Sequence, residues 1–209
     1  MILPAGMGFE NQIVKSMIMK KVTMVLSVTV ISFLFSSVNA QQAIGIKGGV
    51  NITSLSGFEG RDRISGHIGV FLHHTINNNW CFQPELLYSG EGQRYMSGGV
   101  ERTLALGYLQ LPLMIQYYPA PQVYLEAGPQ FGLLLSAQDK SDSEAGQINA
   151  KDDFTTGQVA IGVGIGYKAS EQLILYGRYN FGLTDVSRFD NIVDHSNVGQ
   201  LGVAIRLKH

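Results

Sequence analysis

The chain has little of what disulfide-bonded, metal-binding and nucleic-acid-binding proteins need. It has one cysteine, Cys81, so no internal disulfide can form, and no CxxC or Cys/His cluster indicates a metal site. Charged residues make up 15% of the chain, well below the roughly 25% of ordinary soluble domains. The formal net charge is −1, so no basic field favours nucleic acid as a partner.

The chain also lacks an apolar run of the roughly 20 residues that a membrane-spanning helix needs. The longest run, VTMVLSVTVISFLF at 22–35, follows Lys20 and Lys21 and precedes SSVNA, which ends at Ala40. A basic start, a short apolar stretch and small residues at the end are typical of a secretory signal peptide; the alternative is a membrane anchor. We interpret residues 1–40 as an N-terminal extension and signal peptide, and residues 41–209 as one mature domain.

Glycine, with 25 residues, and aromatic residues, at 10%, are plentiful, and the mature region shows a repeated two-residue period. Apolar side chains alternate with small or polar ones in eight segments, with no helical period between them. The clearest segment is VAIGVGIGY at 159–167, which places Val, Ile and Tyr on one face and Ala and Gly on the other. The pattern predicts eight β-strands.

The connections between these segments alternate in length. Long polar connections are predicted at 56–63, 94–103, 138–153 and 184–196, and short ones at 77–79, 119–121 and 169–171. Long extracellular loops and tight periplasmic turns are typical of outer-membrane barrels. We therefore predict an all-β, eight-stranded antiparallel up-and-down transmembrane β-barrel with both termini in the periplasm.

The two faces of the strands favour a membrane over water. A soluble barrel buries its apolar face and exposes a polar one, but here the second face holds many Gly and Ala residues and few charges. Small side chains suit a narrow lumen, and the apolar face then contacts lipid, where a closed barrel pairs every backbone group. Phe82, Tyr117 and Tyr167, with Trp80 nearby, are predicted to form a periplasmic aromatic girdle.

Several motifs along the mature region resemble the PorT-like outer-membrane β-barrel family of Bacteroidetes. They are GIKGGVNITSL (45–55), FQPELLYSGEG (82–92), YLQLPLMIQYY (108–118), YLEAGPQFGLLL (124–135) and VAIGVGIGY (159–167). The resemblance covers essentially all of 41–209 and implies the outer membrane and the barrel fold. The founding member of that family is linked to a secretion system, but no residue of this chain carries that role over.

Six charged residues are expected on the inner face. Strand parity places three acids and three bases there: Lys47, Glu85, Glu91, Glu126, Arg178 and Arg206. Unpaired charges in a narrow lumen are costly, so we expect them to pair. The favoured interpretation is a structural ion-pair plug; a proton or ion path is the alternative. An eight-stranded barrel is just filled by side chains, so an open pore is not expected.

Catalytic and metal-binding residues are hard to find in the sequence. His67 and His73 share the inner face but lie about 20 Å apart along their strand. His195, with Asp194 and Ser196, falls in the last long connection, where we expect it to be solvated. The third long connection contains the acidic residues Asp139, Asp142, Glu144, Asp152 and Asp153. The favoured interpretation is a soluble acidic loop that faces lipopolysaccharide; weak binding of a divalent cation is the alternative.

These observations favour a non-enzymatic protein, structural, adhesive or accessory to secretion, without a cofactor. A small-solute channel and a rim-site lipid-modifying enzyme are the alternatives. The expected partners are outer-membrane lipid, lipopolysaccharide, the insertion machinery, and a secretion-system or extracellular protein whose identity the sequence does not specify; no nucleic acid is expected.

Cleavage after Ala40 is the first testable prediction. The Val38 and Ala40 side chains suit the −3 and −1 positions of a signal-peptide cleavage site. N-terminal sequencing of the protein purified from membranes should begin at Gln41. An intact leader on the membrane-bound form would contradict this prediction.

Overall fold

The computed structural model describes residues 42–55, 60–141, 147–149, 155–184 and 195–207. The predicted leader lies outside these residues. Within them, no helix is long and apolar enough to cross a membrane. The described chain consists of strands joined by turns, and the bounds of the strands are β1 (Gln42–Leu55), β2 (Arg61–Thr75), β3 (Trp80–Ser97), β4 (Val100–Ala120), β5 (Val123–Ser141), β6 (Gln147–Asn149), β7 (Gly157–Lys168), β8 (Leu173–Gly182) and β9 (Ser196–Arg206).

Eight of these strands form a closed antiparallel ring, which confirms the predicted fold class. Their order round the ring is β4-β3-β2-β1-β9-β8-β7-β5, and pairing between β4 and β5 closes it. The ninth strand, β6, is short and pairs only with the far end of β5. Closure leaves no open edge in the ring, so each strand finds a hydrogen-bonded neighbour on both sides.

The alternating pattern faces the directions that the sequence indicates. On β7, Val163 and Ile165 are exposed on the outside, whereas Ala160 and Gly162 are buried inside. The same parity holds on the other ring strands, where most outward apolar side chains are exposed, by 38–70%, and others, such as Phe82 and Leu109, are half-buried. A protein that exposes this much apolar surface needs an apolar surrounding, and a bilayer supplies it.

Aromatic side chains gather on the outside near the short turns. Trp80 and Tyr117 are direct cross-strand partners, and their ring centroids lie 4.9 Å apart. Tyr167, at the same end of β7, is also exposed, and Phe82 is half-buried. Amphipathic rings at this level are typical of the membrane interface.

One predicted long connection is wrong. Residues 94–103, taken as a loop, instead continue β3 and β4 and pair with each other from Arg94 with Thr103 up to Ser97 with Val100. The two strands are joined by Gly98 and Gly99 alone, whose φ angles are +59° and +82°. A two-residue turn with positive φ at both positions matches the right-handed twist of the strands, and glycine adopts it without strain.

Other predicted connections are also shorter than expected, because the strands extend into them. Residues 61–63 belong to β2, residues 138–141 to β5, and part of the third connection forms β6. The three short connections are confirmed at the opposite end, which we call the short-turn end. The other end, called the long-connection end, therefore carries a taller sheet of β3, β4 and β5 than the sequence pattern indicates.

The outward parity yields the second prediction. Replacing Val163, in the middle of β7, with Arg puts a charge into hydrocarbon and should cost roughly 2–4 kcal/mol of folding free energy. Ile76→Arg, in a short turn, is the control and should cost about 0–1 kcal/mol. Denaturant unfolding in phospholipid vesicles measures both, and equal stability of the two variants would show that Val163 does not face lipid.

Candidate functional site

Four of the six predicted charged residues meet in the lumen. Arg178 of β8 contacts two of the three predicted acids, Glu85 and Glu126. Its Nε donates to Glu126 Oε1 at 2.7 Å, and its Nη1 and Nη2 donate to the two oxygens of Glu85 at 2.9 and 2.8 Å. Lys47 Nζ lies 3.0 Å from both Glu85 oxygens. We call Lys47, Glu85, Glu126 and Arg178 the charged cluster; all four are buried, and its two positive and two negative charges balance.

The charged cluster joins opposite walls of the barrel. Glu85 lies on β3 and Arg178 on β8, and these strands are four positions apart in either direction round the ring. The planar guanidinium forms a two-point hydrogen bond with the Glu85 carboxylate, a geometry that fixes orientation as well as distance. The cluster therefore braces the barrel across its diameter and fills its centre.

A glycine makes room for one of these contacts. Glu126, Gly164 and Arg178 lie in one cross-strand row on β5, β7 and β8. A Cβ atom at Gly164 would lie 3.0 Å from Glu126 Oε1 and 2.7 Å from the Gly177 carbonyl oxygen. A side chain there would press against the Glu126 carboxylate, so the contact between Glu126 and Arg178 depends on glycine between them.

Neutral side chains complete the hydrogen bonds of the charged cluster. Gln83 Nε2 donates to Glu85 at 2.8 Å, and Gln116 Nε2 donates to Glu126 at 3.0 Å. Lys47 Nζ also lies 3.9 Å from the centroid of the Tyr176 ring. The strand pattern predicts that Gln83, Gln116 and Tyr176 face the lumen. It does not predict which inward amides or phenols contact a charged side chain, because that depends on how the strands pair.

A second polar group joins β1, β2, β3 and β8. His67 Nδ1 lies 2.6 Å from Asn51 Oδ1, and His67 Nε2 lies 2.5 Å from the Tyr176 hydroxyl. Both contacts are satisfied if Nδ1 carries the hydrogen and Tyr176 donates to Nε2. Asn51 Nδ2 in turn donates to Ser89 Oγ at 2.8 Å. The imidazole is thus held in one orientation and serves as part of the lumen packing.

Glu91 lies apart from the charged cluster. It is six residues beyond Glu85 on β3, about 20 Å along the strand, and is fully buried. Three neutral donors reach its carboxylate: Ser196 Oγ at 2.7 Å, Gln110 Nε2 at 2.5 Å and Gln158 Nε2 at 3.2 Å. The Glu91 carboxylate is therefore stabilised by hydrogen bonds, and no described Lys or Arg forms an ion pair with it; Arg63 Nη1 donates to the Glu91 backbone oxygen instead, at 2.6 Å.

Arg206, the sixth predicted residue, lies at the short-turn end. It is the last residue of β9, six residues beyond Gln200, which is the cross-strand partner of Arg178. Its Nε and Nη2 atoms are buried and make no hydrogen bond within the described part of the chain. The predicted set of six thus divides into the charged cluster, Glu91 and Arg206, because positions six residues apart cannot meet on a strand.

Apolar side chains close the lumen on both sides of these polar groups. Towards the long-connection end, the inner faces of β4 and β5 bury Leu104, Leu106, Tyr108, Leu134 and Ala137. Towards the short-turn end, a second cluster contains Phe71, Cys81, Tyr118, Tyr124, Ile174, Tyr176 and Ala204. The lumen is consequently filled by side chains along most of its length, as expected for eight strands.

The described candidates for catalysis or metal binding have other contacts. His195 Nδ1 lies 3.4 Å from the Thr184 carbonyl oxygen, while the Ser196 hydroxyl donates to Glu91. His73 contacts Cys81, with Nδ1 3.1 Å from Sγ, and lies far from His67. No group of three or more His, Cys, Asp or Glu side chains that would suit a metal occurs in the described residues.

The predicted acidic candidates are only partly described. Asp139 contacts Arg102, with 3.0 Å between Oδ2 and Nη2, and accepts a 2.8 Å hydrogen bond from the Tyr95 hydroxyl. Burial, with Asp139 as hydrogen-bond partner, raises the pKa of Tyr95 to about 12. The remaining acids fall outside the described residues: Asp142, Glu144, Asp152, Asp153 and Asp194.

The chain is similar to several solved structures at low sequence identity. Ail, the attachment invasion locus protein of Yersinia pestis, is 13% identical, with 79% of this chain and 97% of that chain covered and a TM-score of 0.47. Neisserial surface protein A is 12% identical, with 81% and 98% covered and a TM-score of 0.48. OprG from Pseudomonas aeruginosa is 12% identical, with 81% and 97% covered and a TM-score of 0.45.

The family assignment rests on the sequence itself. No curated protein matches the chain. Residues 39–188 match the model of a family described as outer membrane protein beta-barrel domain, and this match spans well over half of the chain. The closed ring, the apolar outer face and the matched region agree, and the chain belongs to the outer membrane protein beta-barrel domain family.

Proposed function

We propose that the protein is a non-enzymatic outer-membrane barrel that conducts no solute and acts through its surfaces. The observation that carries this proposal is the charged cluster. Arg178 and Glu85 bridge opposite walls, Lys47 and Glu126 neutralise them, and apolar side chains pack on both sides. A buried, balanced and fully hydrogen-bonded group of charges resists displacement by water or ions.

The surfaces point to a structural or adhesive role, or to a role accessory to secretion. With the short turns in the periplasm, the taller sheet of β3, β4 and β5 and the long connections would face outside the cell. The motif series from GIKGGVNITSL to VAIGVGIGY supports PorT-like membership and hence the secretion alternative. The apolar run before Ala40 supports export through a cleaved signal peptide.

A lipid-modifying enzyme would need a nucleophile, a base and an orienting group converging at one rim. Among the described residues, Ser196 donates to the buried Glu91, and the His195 ring contacts a backbone carbonyl instead of Ser196. This arrangement favours packing over acyl transfer, and we therefore propose no enzymatic activity.

The third prediction concerns conductance. Purified protein inserted into planar lipid bilayers should show no large, steady open conductance, because side chains fill the lumen. A matched preparation of a porin is the positive control for insertion and recording. A steady open conductance of the unmodified protein would overturn the closed-lumen proposal and support the small-solute channel.

The fourth prediction tests the charged cluster energetically. Glu85→Gln removes the acid shared by Lys47 and Arg178 and leaves an uncompensated positive charge, which should cost about 3–5 kcal/mol of folding free energy. It should also raise conductance, because the bridge between opposite walls is weakened. Denaturant unfolding in vesicles and bilayer recording measure the two effects.

Asp139→Asn is the matched control for Glu85→Gln. Asp139 pairs with Arg102, but both side chains are partly exposed, at 17% and 27%. An ion pair in contact with solvent contributes about 0–1 kcal/mol, so this variant should unfold almost like the unmodified protein. Equal losses for the two variants would contradict the assignment of the charged cluster as the brace of the barrel.

A further inference from the structure

The outer face of β2–β5 carries a row of polar and cationic side chains near the long-connection end. Arg61 is the direct cross-strand partner of Arg94, Arg94 of Thr103, and Thr103 of Lys140. Directly opposed residues in an antiparallel sheet point to the same face. Arg61, Arg94, Thr103 and Lys140, which we call the cationic row, therefore lie side by side over about 14 Å, at roughly 4.8 Å per strand.

The cations of the cationic row are not paired with an acid within the described structure. Arg61, Arg94 and Lys140 are exposed, and none of them forms an ion pair with a described residue. Glu101, the cross-strand partner of Met96, lies on the same face, two residues along β4 from Thr103. Two arginines directly opposite one another repel and destabilise the sheet. An anion bound between the two arginines would attract both of them and offset this repulsion.

The other face of the same strands shows the contrast. There Arg102, one residue from Thr103, is paired with Asp139 at 3.0 Å, and Tyr95 donates to the same carboxylate. The inner-face cation Arg102 is thus paired with an acid, whereas the three outer-face cations form no ion pair with any residue that the structure describes. Because the same strands form both faces, the different pairing of their cations indicates that the two faces contact different surroundings.

The surroundings of the cationic row suit a lipid headgroup. A cavity of about 570 Å³ adjoins it, lined by Gly60, Arg61, Arg94, Tyr95, Met96 and Glu101. From the row towards the short-turn end, the outer face first shows small residues, Gly92 and Ala105, and then exposed or half-buried leucines such as Leu109 and Leu133. The row therefore lies just beyond the apolar band, where we expect the lipid headgroups, and the cavity beside it offers space for a bulky headgroup.

We propose that the cationic row binds the phosphate groups of an anionic glycolipid in the outer leaflet of the membrane. A phosphate monoester carries up to two negative charges, and an arginine guanidinium can donate two parallel hydrogen bonds to it. Arg61 and Arg94 are close enough to share one phosphate, and Lys140, beyond Thr103, reaches a second. The proposal rests on the proposed function in one respect, the placement of the long-connection end outside the cell.

The experiment uses the mature protein in phosphatidylcholine vesicles and measures lipid retention by native mass spectrometry. The probes are bis-phosphorylated lipid A, the same lipid with both phosphates removed, and inorganic phosphate as a competitor. The unmodified protein should retain the phosphorylated lipid at least about tenfold more tightly than the dephosphorylated one. The triple variant R61Q/R94Q/K140Q should lose this discrimination, and R61K/R94K should retain part of it because the charge remains.

Arg102→Gln is the matched control: it removes one cation from the same strands but on the opposite face, and should leave the discrimination unchanged. Gel mobility of the folded barrel verifies that every variant has folded. Equal retention of both lipids by the unmodified protein, or unchanged discrimination in the folded triple variant, would overturn the site. Displacement of the lipid by inorganic phosphate at equal concentration would overturn lipid as the source of the phosphate. Bilayer conductance reports on the lumen independently, so either proposal can fail alone.

Discussion

The structure depends above all on the need to pair every backbone N–H and C=O group inside hydrocarbon. Pairing of β4 with β5 meets this need by turning an eight-stranded sheet into a ring. Once the ring is closed, each strand has one face towards lipid and one towards a lumen that all strands share. The apolar outer face and the mixed inner face then follow from the two-residue period, because side chains alternate across the wall of the barrel.

A narrow shared lumen decides how its charges are arranged. A buried charge is costly unless an opposite charge and hydrogen bonds compensate it, and the charged cluster does this with two acids and two bases from four strands. Because Arg178 and Glu85 come from opposite walls, the ion pair that neutralises their charges also holds the two walls of the barrel together. Glu91 illustrates a different solution, in which three neutral donors surround a single carboxylate. Both solutions fill space that a channel would need.

Beyond the apolar band the same sheet meets different surroundings on its two faces. The inner face of the tall β3–β5 region buries Leu104, Leu106 and Leu134 and pairs Arg102 with Asp139. The outer face carries the cationic row, whose charges are not paired with any acid in the described part of the chain. The lumen is filled, so the proposed roles of this barrel in the outer membrane, including lipid binding, depend on its outer surfaces.

The sequence by itself determined the number of ring strands and the face of nearly every residue, since alternation is a local property of each strand. It could not determine which inner residues meet. Contacts such as Arg178 with Glu85 depend on the register of every strand pair and on ring closure, which are properties of the whole sheet. Residues 94–103 show the same limit: their polar composition suggested a loop, but pairing across Gly98 and Gly99 made them strand. The cationic row, too, exists only through the registers of β2 to β5, because each of its members comes from a different strand.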